Sequence, residues 1–148
     1  MPMESPLCAY LHAVARALER DGVWTDRWHC VARHRGGERQ HVGIMEWSDN
    51  NPAGTHAWPI GLALARFPEG WVFTGAPYDG WPERYEALPL DGWADPDDVA
   101  LVVRHLLAHG AEAIPSPASL RRWSGAEAAQ AALDELAADP YGYDRFLP

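Results

Sequence analysis

The chain has 148 residues, 47% of them apolar, which suffices for a single domain with a real core and no need of a disulfide or metal staple. A net charge of −9 and a pI near 5.1 exclude a surface built to track phosphates, because affinity for nucleic acid rests on basic contacts that release counterions. The 12 basic residues are all arginine, a mark of a GC-rich genome, so single arginines are not read as chosen anion contacts. Cys8 and Cys30 lack CxxC spacing and fit a reducing compartment. The start, Met-Pro-Met-Glu-Ser-Pro, lacks the basic region and apolar run of a signal peptide, and no stretch approaches transmembrane length. These features set the expectation of a cytoplasmic protein.

The first element reads as a helix over 6–21. Ser5 caps it, Pro6 suits its first turn, Gly22 closes it in a left-handed conformation, and Leu7, Tyr10, Leu11, Val14 and Leu18 form one apolar stripe. Two strands follow, Trp28 to Arg35 and His41 to Ser48, bracketing Gly36-Gly37-Glu38-Arg39 as a four-residue hairpin loop. That register sets His34 opposite His41, Cys30 opposite Met45 and Trp28 opposite Trp47 on a core face. The other face then holds Val31 opposite Ile44 and His29 opposite Glu46.

Beyond the polar loop Asp49 to Gly54, an acidic residue, glycine and tryptophan recur together as Glu69-Gly70-Trp71, Asp79-Gly80-Trp81 and Asp91-Gly92-Trp93. Acidic-glycine pairs supply the positive φ of tight turns, so the middle of the chain reads as an antiparallel meander, with strands at about 58–67, 70–76 and 84–90. A second helix is capped by Asp95, opens on Pro96, carries Asp97 and Asp98 at its positive end, buries Val99, Val102, Val103, Leu106 and Leu107, and stops at Gly110. After the proline-broken Ile114 to Pro117, a capping box of Ser124 and Glu127 starts a third helix that Asp139-Pro140 ends. Its stripe of Ala126, Ala129, Leu133 and Leu136 is thin enough to suit docking on another chain. The fold class expected is α+β: a four- to five-stranded antiparallel meander covered by the N-terminal and post-sheet helices. Residues 1–110 form the domain, and 111–148 form a C-terminal linker, helix and aromatic tail.

No motif names a reaction. HExxH, GxSxG and phosphate-cradling glycine loops are all missing from the sequence. His105 and His109, four residues apart on the second helix, are one candidate metal pair, and Cys30, His34 and His41 on the hairpin are another. Each has a plain alternative, a histidine pair favoured by a helix C-terminus and a buried thiol beside sheet-end histidines. Capping likewise explains Asp95, Asp97 and Asp98 more simply than a divalent cation does. The sequence implies no cofactor.

Eight tryptophans exceed what a modest core needs. Trp58, Trp71, Trp81 and Trp123, with Tyr141, Tyr143 and Phe146 of the tail, are the candidate partner-binding residues, since aromatics bring large contact area at low entropic cost. The function expected is a non-catalytic, protein-binding accessory or immunity-like role through exposed aromatics and an acidic surface. The partner is another protein, a second copy of the chain being one form, with no nucleic acid and no membrane. The alternative is a small enzyme or ligand-binding domain, metal-assisted through either histidine set.

Residues Tyr10 to Leu18, Gly70-Trp71, Leu88-Pro89-Leu90, Pro96 to Ala100 and Leu106-Leu107 also carry a likeness. Over about residues 7–110 the chain resembles a family of small actinobacterial proteins catalogued as a domain of unknown function. That resemblance implies a helix-sheet-helix fold and a bacterial cytoplasmic setting, with no catalytic residue to carry over.

Overall fold

The computed structural model describes residues 5–35, 38–53, 57–75, 85–117 and 121–138, without the side chains of 33–35, 38 and 39. The chain order is α1 (Pro6–Arg20), β1 (Arg27–Arg35), β2 (Glu38–Trp47), β3 (Leu62–Phe67), β4 (Gly70–Thr74), β5 (Glu86–Ala87), α2 (Pro96–His109) and α3 (Ala126–Ala138). The strands form one five-stranded antiparallel sheet in the order β1-β2-β3-β4-β5, so the α+β meander is as expected, with shorter third, fourth and fifth strands.

Both early helices begin and end where side-chain chemistry dictates. Ser5 Oγ accepts the Leu7 N–H, and at the other end the Gly22 and Val23 N–H groups donate to the Glu19 and Leu18 carbonyls, with Gly22 at φ 76°. This is a Schellman closure, which needs the left-handed glycine. Asp95 Oδ1 accepts the Asp97 N–H at 2.9 Å, and Gly110 caps α2. The third helix opens at Ala126, with the Ala129 N–H donating to Gly125, so its start falls after the Ser124 position expected of a cap.

The β1–β2 register differs from expectation by two residues. Trp28 pairs with Met45, Cys30 with Gly43, Ala32 with His41 and Arg27 with Glu46, and Arg35 pairs with Glu38, so Glu38 and Arg39 belong to the strand and the connection spans Gly36-Gly37 alone. A two-residue slip leaves every side chain on its expected face, where a one-residue slip would have inverted them all. It also sets Arg27 opposite Glu46, with Arg27 Nε 2.8 Å from Glu46 Oε2. Cross-strand opposite charges favour this alignment over one that faces Glu46 with His29.

Three helices share the core on the Trp28, Cys30, Met45 and Trp47 face of the sheet. Leu7, Tyr10, Leu11, Val14 and Leu18 of α1 are each fully buried, on the order of 2 kcal/mol apiece in apolar transfer. The stripe of α3, Ala126, Ala129, Leu133 and Leu136, lies in this same core. A short extended pairing ties its approach to the domain: Trp123 N–H donates to Trp93 C=O at 2.7 Å and Asp95 N–H to Arg121 C=O at 3.0 Å. Residues 121–138 thus share a core with the first 110. Val42, Ile44, Ala65 and Phe67 form a second, smaller cluster on the opposite face, so the centre of the sheet is buried on both sides. No helix among the described residues is long and apolar enough to cross a membrane.

Two glycines permit this packing by close approach. A Cβ on Gly92 would meet the Phe67 and Pro68 carbonyl oxygens at 2.7 and 2.6 Å, and one on Gly43 would meet Leu11 Cδ1 at 2.7 Å. Backbone cannot yield as a leucine terminus can. Gly92→Ala is therefore expected to cost about 2–3 kcal/mol and Gly43→Ala about 1 kcal/mol in urea unfolding; equal losses, or a neutral Gly92→Ala, would contradict this packing.

Candidate functional site

A concavity with an aromatic lining lies where β4 and β5 meet the end of α2. Trp58, Phe73, Thr74, Tyr85, Glu86 and Ala111 line a cleft of about 750 Å³. Trp58 is held by its Nε1–H, which donates to Leu106 C=O at 2.7 Å, a carbonyl in the last turn of α2 that also receives the Gly110 N–H. The unsatisfied carbonyls of a helix end thereby fix an indole at the cleft wall. Trp58 meets Phe73 edge to face at 5.9 Å, and Gly75 leaves it room, since a Cβ there would lie 2.8 Å from the indole. Tyr85 stacks on Phe67 at 5.9 Å yet is 40% exposed, and Glu86, opposite Phe73 in the sheet, adds a carboxylate beside the aromatics. Ile60, two residues beyond Trp58, is 54% exposed.

Elsewhere in the core, several side chains gather around a buried arginine. Arg66 is 1% exposed; its Nε donates to Gly92 C=O at 2.8 Å and its guanidinium carbon stands 4.2 Å from the centre of the Trp93 ring. Its Nη1 stands 3.5 Å from His41 C=O; among the described residues its Nη2 has no hydrogen-bond partner and no carboxylate comes within ion-pair distance. Burial pulls the guanidinium down to about 10, still protonated at neutral pH. Around it, Tyr10 donates to Ala94 C=O at 2.6 Å and accepts from Trp71 Nε1 at 3.3 Å, while burial pushes its phenol up. Trp93 stacks on Trp123 at 5.9 Å and donates to Gln130 on α3 at 2.9 Å.

The expected site residues are distributed unevenly over this frame. Trp58 lines the cleft. Trp71, at 1% exposure, is a core residue, and Trp123 is half-buried against Trp93 and Tyr10, so neither stands out as a free recognition aromatic. Trp81, Tyr141, Tyr143 and Phe146 lie outside the described residues, as does the side chain of His34. His105 and His109 are neighbours, rings 5.0 Å apart, but His105 Nε2 is 2.6 Å from Glu112 C=O and so carries its proton there instead of a free lone pair. Among the described residues no three His, Cys, Asp or Glu side chains converge as metal ligands. Cys30 meets Cys8, Sγ to Sγ 2.9 Å, whereas His41 lies one row along the sheet with its Nδ1 3.2 Å from Ser5 Oγ.

Sequence reasoning missed Tyr85 and Glu86 as wall residues, and also Trp24, 61% exposed beside a smaller cleft of about 320 Å³ that includes Glu19, Asp26 and Trp28. The signal for Trp24 was its place between the helix-closing Gly22 and the first strand. There Asn51 Nδ2 donates to Trp24 C=O and to Asp26 Oδ1, at 2.8 and 3.1 Å. Burial works against the Asp26 charge, but hydrogen bonds from Ser48 and Asn51 and the charge of Arg27 hold its carboxyl below the usual range.

Comparison with known proteins found no matching family model, no matching curated protein and no matching solved structure.

His41 offers a test of the buried centre. Burial first, and the Arg66 charge second, lower its pKa below the ordinary histidine value. Unfolded His41 takes up a proton near pH ~6.5 while the folded side chain resists it, so its contribution to stability is present above that pH and is lost as pH falls toward the folded value. His41→Gln should flatten the fall in melting temperature between pH ~7.5 and ~5.5 relative to wild type; parallel curves would show that His41 is not held neutral.

Proposed function

We propose that the chain is a non-catalytic, immunity-like or accessory protein that binds another protein by receiving an apolar side chain in the cleft of Trp58, Phe73 and Tyr85. Glu86 at the cleft and the net charge of −9 select basic residues around that side chain. The observation that carries this reading is the pairing of a rigidly held indole with a partly exposed tyrosine across an open cavity. Such aromatics offer large contact area with little rotamer entropy left to lose, which is the chemistry of a recognition hot spot. A cytoplasmic setting, and the resemblance of residues 7–110 to a small actinobacterial family, belong to the same proposal and bring no catalytic residue with them.

A small-molecule ligand is the second reading, favoured by a cavity volume that falls within the ~300–1,000 Å³ usual for such sites. Metal-assisted chemistry has less support, because the His105 nitrogen nearest to hand is already engaged by Glu112 C=O.

Panning a random peptide library against the purified chain tests the first reading. The expected result is convergence on an apolar or aromatic residue flanked by Arg or Lys. Affinity should fall at least tenfold, about 1.4 kcal/mol, in both Tyr85→Ala and Glu86→Arg. Both substitutions fall on exposed side chains, so their melting temperatures should stay near that of wild type. No convergence, or convergent peptides indifferent to both changes, would overturn it; a small molecule that raises the melting temperature of wild type but not of Tyr85→Ala would favour the second reading.

A further inference from the structure

The two cysteines of this chain are far apart in sequence, one in the first turn of α1 and the other in the middle of β1, yet their sulfurs lie 2.9 Å apart. The contact belongs to a longer alignment. His12, one helical turn beyond Cys8, meets Trp28, two strand residues before Cys30, with ring centres 6.1 Å apart. Four helical residues advance about 6 Å and two strand residues about 6.6 Å, so α1 runs antiparallel to β1 with matched spacing and the thiol contact is fixed by the packing of whole elements. Leu11 wedged over Gly43 fixes the same docking from β2.

We propose that Cys8 and Cys30 are a reversible dithiol–disulfide pair, oxidised by a low-molecular-weight disulfide. Both thiols are half-buried, so a small oxidant reaches them while bulk solvent is limited. Cys8 is the attacking thiol, because the first turn of a helix favours the thiolate. Its sulfur attacks one sulfur of the oxidant, forming a mixed disulfide and releasing one thiolate. The Cys30 thiolate then attacks the Cys8 sulfur, closing the Cys8–Cys30 bond and releasing the second thiolate. The two protein thiols lose two electrons, the oxidant gains them, and the two thiol protons end on the two released thiolates. Arg66 supports the second step: it lies along the row Cys30–Gly43–Arg66, two strands or roughly 10 Å away, as a buried positive charge with no carboxylate partner among the described residues. The product pins the start of α1 to the edge strand β1, closing a loop between residues 8 and 30.

The experiment treats the full reduced chain with oxidised glutathione. The monomer is then read by intact mass after alkylation, and by melting temperature with and without reductant. The proposal expects loss of two hydrogens, no alkylation at either cysteine, and a melting temperature roughly 10 °C above that of the reduced form. It also expects Cys30→Ser to trap a glutathione adduct on Cys8 and Cys8→Ser to accumulate several-fold less. Two alkylated thiols after oxidation, glutathione on both cysteines without internal closure, or a disulfide-linked dimer would each overturn it, and wild type alone suffices to decide should either variant fail to fold.

Discussion

A buried cation with no carboxylate within ion-pair distance among the described residues sits at the middle of this fold, and much of the surrounding architecture answers to it. A guanidinium removed from water and left unpaired is costly. Arg66 is tolerated because the Trp93 ring offers its negative face at 4.2 Å and the Gly92 carbonyl accepts its Nε–H at 2.8 Å. Desolvated cation–π contacts are worth about 2 kcal/mol, and a hydrogen bond to a charged donor about as much. Each partner imposes a further condition. The Gly92 carbonyl reaches Arg66 only if residue 92 has no side chain, since the turn at Phe67-Pro68 leaves no room for one. Trp93 lies flat only if Trp123 stacks behind it and Gln130 receives its N–H, which draws α3 into the core. Tyr10 completes the enclosure by joining α1 to Ala94 and Trp71.

Five of the described tryptophans fall into two groups with different work. Trp47, Trp71 and Trp93 are buried and shape the core, whereas Trp24 and Trp58 border clefts at the ends of the elements. An indole has one apolar body and one N–H to satisfy: Trp71 donates to Tyr10 Oη and Trp93 to Gln130 Oε1, whereas Trp47 Nε1 has no hydrogen-bond partner among the described residues. In Trp58 the N–H meets a helix-end carbonyl, so the ring is anchored without being fully covered, and a rigid aromatic wall results. The proposed recognition surface follows from this anchoring.

The helices were the most legible part of the chain, because caps and stripes are local. Ser5, Gly22, Asp95 and Gly110 each perform the terminal role their residue type suits, and the α3 stripe is buried at the four positions its spacing indicated. The sheet was legible in its faces but not in its register. Alternation sees only parity, and the choice between a two- and a four-residue connection was decided by the Arg27–Glu46 pair and the rest of the ladder. Neither the Cys8–Cys30 contact nor the role of Arg66 was readable, since both depend on how α1 crosses the sheet. Among the arginines of this composition, nothing local separates Arg66 from its exposed counterparts. Among the described residues the recurring acidic-Gly-Trp triplet carries two meanings: at Glu69-Gly70 it turns the chain into β4, while at Asp91-Gly92 it permits close backbone approach beneath an arginine; Asp79-Gly80-Trp81 lies outside the described residues.

The most direct test of a buried, protonated Arg66 held against Trp93 is a nitrogen–proton NMR spectrum of the arginine Nε–H groups at neutral pH, followed after transfer into deuterated water. The account predicts one resonance displaced by the indole ring current and persisting long after the others have exchanged, because its hydrogen bond to Gly92 is shielded from solvent. A spectrum in which every arginine Nε–H exchanges at the exposed rate, with none shifted, would contradict it.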